Sequence, residues 1–185
     1  MIPLRDVIPA RTTPWVTFTL LGLNLVVALC LHGGWVQLIA NLWALWIFGG
    51  NVEDRLGHGR FLLFFLLTGA GAGLVQVWPH PTTATALAGA TSAIAGVMGA
   101  YLVLFPQSKI LVLVFFPRYL DVVEIPAVVF LILWFMLQIV ASMGRADGFG
   151  GMVVNWAPIA GFAAGLLGVF PLRRREREKP DWWTT

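Results

Sequence analysis

The stretch Gly89-Ala-Thr-Ser-Ala-Ile-Ala-Gly-Val-Met-Gly-Ala-Tyr101 is apolar, rich in small residues and free of charge. Ala93, Gly96 and Ala100 recur three and four apart, so they share one side of a helix and let a second backbone come close. Such a side needs a partner. The best one is Ala157-Pro-Ile-Ala-Gly161-Phe-Ala-Ala-Gly165, where Gly161 and Gly165 make a small-xxx-small face in an apolar segment. Two hydroxyls, Thr91 and Ser92, stand at the mouth of that pair.

Outward from this stretch the whole chain is apolar. Its 185 residues are 58% hydrophobic and 11% charged, far from the balance of a soluble domain. The composition therefore predicts a polytopic membrane protein forming one compact helical unit, since no linker-like segment divides it. The single cysteine, Cys30, excludes an internal disulfide. The bulky Leu29 before Cys30 argues against a lipoprotein signal, and the first apolar run has no small-residue cleavage site.

In chain order, residues 1–14 read as a polar lead-in, residues 15–170 as the membrane domain and residues 171–185 as a basic tail. Span 1 is expected over about Trp15 to Leu31, and span 2 over about Trp35 to Gly50, joined by His32-Gly-Gly34. Span 2 carries Gln37 and Asn41 four apart on one face, and a polar pair in lipid should face protein. A charged loop, Asn51 to Arg60, precedes span 3 (about Phe61 to Trp78), whose Gly69-Ala-Gly-Ala-Gly73 offers another close-packing face. Span 4 is expected over about Thr91 to Phe105, span 5 over Pro126 to Met143 and span 6 over Gly151 to Phe170. Between spans 4 and 5 the apolar run Ile110 to Phe116 is too short to cross and is expected to lie at the interface.

Six spans put both termini on one side, and eleven of the twelve Lys/Arg then share that side, Arg145 being the exception. The positive-inside rule makes it the cytoplasm. Trp15, Trp35, Trp78 and Trp156 fall near span ends, as an aromatic belt requires. The net charge of +3 sits at span ends, which suits anionic headgroups and not nucleic acid.

Several stretches together resemble the rhomboid superfamily of intramembrane serine proteases: Leu31 to Asn41, Leu45 to Gly49 with Val52 to Arg60, Gly89 to Phe105, Ile125-Pro-Ala127 and Ala157 to Gly165. They follow the family's order over most of the chain. The resemblance implies a six-helix rhomboid-like bundle, all-α, with cytoplasmic termini, and a cell membrane, most simply a prokaryotic inner membrane. Active members resemble one another in a Gly-x-Ser-Gly motif opening span 4 and a His on span 6. Aligned here, Thr91 takes the serine position, Ser92 that of the following glycine and Pro158 that of the histidine. Without a base a hydroxyl is a weak nucleophile, and proline has no titratable group. Losing a triad member costs on the order of four to six decades of rate. Gln37 and Asn41 match the family's span 2 oxyanion donors, and both can still donate. The short turn His32 to Gly34 replaces a long first loop. Of the other bases, His58, Lys109 and Lys179 are expected in the cytoplasm, His32 in the turn before span 2, and only His80 within reach of Thr91.

Plainer roles stand beside these. Thr91 and Ser92 can cap a helix that begins inside the membrane. Gln37 and Asn41 can clamp helices for roughly 0.6 to 2 kcal/mol. Pro158 can kink span 6, with a freed carbonyl bonded by a neighbour such as Asn155. Glu53 and Arg55 read as a cytoplasmic staple between spans 2 and 3, and no spacing of His, Cys or Asp suggests a metal or cofactor. The expectation is a rhomboid-like protein that lacks the catalytic pair and binds transmembrane helices of clients or partners. A subunit fixed in a larger membrane complex, with Trp182 and Trp183 as a docking point, is the alternative, and an active threonine-type endopeptidase is the third.

Overall fold

The architecture is that of a computed structural model, which describes residues 2–6, 12–31, 35–77, 88–115, 120–143 and 156–173. It is mostly helical, with a small sheet at one end. Strand β1 (Ile2–Asp6) is followed by α1 (Trp15–Leu31) and α2 (Trp35–Ala44). A π-helical turn (Leu45–Gly49) runs directly into α3 (Gly50–Leu56), so α2, the π-turn and α3 form one continuous rod. Then come α4 (His58–Val77), α5 (Ala88–Leu104), β2 (Lys109–Phe115), β3 (Leu120–Pro126), α6 (Ala127–Met143) and α7 (Ala157–Leu172).

Each expected span therefore has a helix. By length and composition, among the described residues only α4 is long and apolar enough to cross a bilayer unaided, over His58–Gln76; α1, α5, α6 and α7 are shorter apolar helices. The breaks follow local chemistry. Gly57, with φ of 84°, is the residue at which α3 ends and α4 begins, a conformation that a side chain would strain. Its N–H donates to the Glu53 carbonyl at 2.6 Å, and its own carbonyl accepts from Phe61 N, so the turn wastes no backbone group.

Helix directions alternate. Ser92 lies against Gly161 and Gly96 against Gly165, so α5 and α7 run parallel. Gln76, late in α4, meets Ala157 at the start of α7, while Phe64, early in α4, meets Gly168 near its end, so α4 runs the opposite way. The core lies among these three helices and the rod: Tyr101, Phe48, Phe61 and Phe64 are its largest fully buried side chains. Phe48 meets Tyr101 edge-on with centroids 4.9 Å apart.

The all-α expectation is corrected by a three-stranded antiparallel sheet in the order β1-β2-β3. The apolar run that was expected to lie flat at an interface is β2, paired with β3 from Lys109↔Pro126 to Phe115↔Leu120. Its alternation places Ile110 and Val112 in the core and Lys109 outside, where it pairs with Glu124 at 2.9 Å. The polar lead-in supplies β1, with Asp6 opposite Ile110. Ala127 N donates to the Ser108 carbonyl at 2.8 Å, closing the hairpin's base where α6 begins.

Candidate functional site

At the mouth of the α5 and α7 pair, Asn41 on α2 donates from its side-chain nitrogen to the Thr91 hydroxyl at 2.9 Å. Thr91 and Ser92 are both buried. The helix starts at Ala88, so neither residue is its N-cap. The capping role expected for them is corrected: they are the fourth and fifth residues of α5, and Thr91 holds α5 to α2.

Pro158 is buried in the first turn of α7, directly after Ala157. An N–H is not required there and the fixed φ suits a helix start, so it begins the helix and kinks nothing. The orphan N–H of Ala157 donates to Gln76 Oε1 of α4 at 3.1 Å, and Ala160 N reaches the Trp156 carbonyl at 2.8 Å. Gln76, itself buried, escaped the reading of the sequence, although a lone amide late in an apolar helix was the available signal. Pro158 lies one turn before Gly161, and Gly161 lies against Ser92, so α7 brings the proline level with the start of α5.

The close approach is as tight as backbone allows. A Cβ on Gly161 would stand 2.1 Å from the Ser92 carbonyl oxygen, and one on Gly165 2.0 Å from that of Gly96. The ridge that meets α7 is Ser92, Gly96 and Gly99, the last against Phe162 O. Ala93 and Ala100, expected on this ridge, are buried in the core. Gly96 also abuts Thr68 of α4. On α4, Gly69 is buried, but a Cβ on Gly73 would meet nothing within 4 Å, so the second close-packing face is corrected at that position.

Glu53 is fully buried at the far end of the bundle. Oε1 accepts from Val16 N at 2.9 Å; Oε2 accepts from Thr17 N at 2.7 Å and from Thr17 Oγ1 at 2.6 Å. His58 Nδ1 lies 2.6 Å from Oε1. The carboxylate thus caps α1 from outside and ties α1, α3 and α4 together, a wider joint than one between spans 2 and 3. Arg55 lies over the Phe105 ring, 5.4 Å from its centroid.

Of the bases weighed in place of a catalytic histidine, His58 pairs with Glu53 and Lys109 with Glu124. The side chain of Gln37, and His32, His80, Asn155, Trp182 and Trp183, lie outside the described residues. Among the described residues no cluster of His, Cys, Asp or Glu could hold a metal ion.

A family model described as "Rhomboid domain" matches residues 21–175. The chain is similar to Rhomboid protein 1, mitochondrial, of Saccharomyces cerevisiae, at 32% identity over 45% of this chain and 25% of that protein. It is similar to Rhomboid protease GluP of Bacillus subtilis at 42% identity over 43% of this chain and 15% of that protein. Rhomboid-like protein 11, chloroplastic, of Arabidopsis thaliana is 39% identical over 38% of this chain and 25% of its own length. The matches thus span a quarter or less of these relatives. Mitochondrial and chloroplastic names among them lend no support to a prokaryotic inner membrane in particular. No solved structure matches the chain.

Proposed function

The chain belongs to the rhomboid family, and from that premise we propose that it is a pseudoprotease that binds transmembrane helices of client or partner proteins. The observation that carries the reading is the state of the two chemical positions. The oxygen that would attack belongs to Thr91 and is held by the Asn41 amide. The residue that would take its proton is Pro158, whose nitrogen is locked in an amide at the start of α7. What remains is the packing frame: α5 against α7, with α2 and α4 hydrogen-bonded to their first turns.

In this reading the helices cross the bilayer six times with both termini in the cytoplasm, the side with eleven of the twelve Lys/Arg. The exposed apolar side chains face lipid or a client. The client's seat is the flank between α2, which exposes Ile39 and Trp43, and α6, which exposes Val129, Ile132, Leu133 and Met136.

The test uses purified chain in liposomes with a panel of unstable transmembrane segments and a fluorophosphonate probe. Photo-crosslinking of segments to α2 or α6, with no labelling and no cleavage, is expected. Cleavage that stops with Thr91→Ala would sink the proposal and align the chain with its relative named as a protease. Gentle extraction that yields one fixed stoichiometric complex would favour a structural subunit instead.

A further inference from the structure

We infer that the end of the α4 and α7 pair where Arg60 and Arg173 stand is a binding site for an anionic phospholipid. The two guanidinium groups hold its phosphate, and its acyl chains lie along exposed apolar side chains beside the helix seam. The inference rests on the membrane placement proposed above and not on the loss of catalysis.

The two arginines are brought to one end by the packing of their helices. Phe64 of α4 lies against Gly168 of α7, where an added Cβ would stand 3.6 Å from its ring. Because the helices run in opposite directions, Arg60 before Phe64 and Arg173 after Gly168 both lie roughly one helical turn beyond that contact, on the same side of it. The apolar window of α4 covers His58–Gln76, so Arg60 is in its first turn and at headgroup depth, and Arg173 directly follows the last residue of α7. Both side chains are exposed, and among the described residues neither has a carboxylate partner. Arg173 is steadied from below by Phe170, whose ring centroid lies 5.5 Å from its Cζ.

Beneath the arginines the surface is apolar. Leu63 and Leu67 near Phe64, and Leu167 and Phe170 on either side of Gly168, are all exposed. The surface thus has planar cationic donors at one end and apolar side chains below them, and a phospholipid carries the complementary parts in the same order. A guanidinium meets a phosphate with two parallel N–H groups. A zwitterionic headgroup brings its own ammonium, which the arginines repel, so the net negative headgroup is preferred. A soluble phosphorylated partner would satisfy the arginines but leave the leucines uncovered.

The test uses the full chain in detergent, with the thermal midpoint read as lipid is added. Phosphatidylglycerol is expected to reach half its effect at a concentration about tenfold or more below that of phosphatidylcholine, and inorganic phosphate to have no effect. Exchanging both arginines, Arg60→Gln with Arg173→Gln, should weaken the phosphatidylglycerol effect by about tenfold or more, since each arginine at an anionic surface contributes about fivefold. Lys109→Gln, whose ammonium pairs with Glu124 on the sheet, should leave that effect unchanged. Equal responses to the two lipids, an undiminished response of the double variant, or a response to phosphate alone overturns the inference. Should the double variant melt lower without lipid, native mass spectrometry of the unaltered chain decides: it should retain phosphatidylglycerol where it loses phosphatidylcholine, and equal loss of both overturns the inference. Failure of the six-span placement reads differently, as labelling of cysteines at positions 60 and 145 from one side of sealed vesicles.

Discussion

Glu53 makes three hydrogen bonds to the first turn of α1 and a fourth contact to His58, with no exposed surface. Removing it strands two backbone donors and a hydroxyl in a buried place, each at about 1 to 3 kcal/mol. Glu53→Ala should therefore lower stability by about 3 kcal/mol or more, read as a fall in the thermal midpoint of tryptophan fluorescence in detergent. Lys109→Ala should barely move it: that pair is half exposed on both sides and such pairs contribute at most about 1 kcal/mol. The charge cluster around Glu53 was visible as a staple in the sequence. Its partners were not, because Val16 and Thr17 contribute backbone N–H groups that no side chain announces. Gln76 was hidden for a related reason: it is an isolated polar residue whose meaning depends on what lies opposite.

At the scale of the elements, the α5 and α7 pair was the most legible feature, because glycines spaced four apart have few uses in an apolar helix except close approach. On α5, Ser92 and Gly99 join Gly96 against α7, two positions that the spacing of small residues did not single out. Small residues surround that face, so spacing alone did not separate neighbouring ridges. Two substitutions measure the difference between a packed and an open glycine. Gly165→Ala forces a methyl to within 2.0 Å of the Gly96 carbonyl oxygen and should cost about 1 to 3 kcal/mol, as overpacking does. Gly73→Ala enters open space and should be neutral, or stabilising by up to about 1 kcal/mol through helix propensity. Equal shifts in a denaturation series would contradict the assignment of the ridge.

For the whole molecule, the number and order of helices followed from hydropathy and length, and the sheet did not. The apolar run 110–116 was recognised as too short to cross, but its partners are the strand that follows it and another near the start of the chain, and pairing between remote segments leaves no local signature. The proposed membrane placement is open to direct measurement. On a Cys30→Ser background, single cysteines at Arg60→Cys and Arg145→Cys should react with a membrane-impermeant maleimide from opposite sides of sealed vesicles. Labelling of both from one side would remove the six-span arrangement.

The contact between the two parallel helices has a thermal consequence. Where Ser92 and Gly96 carbonyls press on Gly161 and Gly165, no side chain intervenes, and in a bilayer little water is released when the surfaces meet. Attraction at that seam comes from dispersion and from carbon-bound hydrogens directed at carbonyl dipoles. Such forces do not fade in the cold as water-driven cohesion does, so this seam should be the last part of the bundle to loosen as temperature falls.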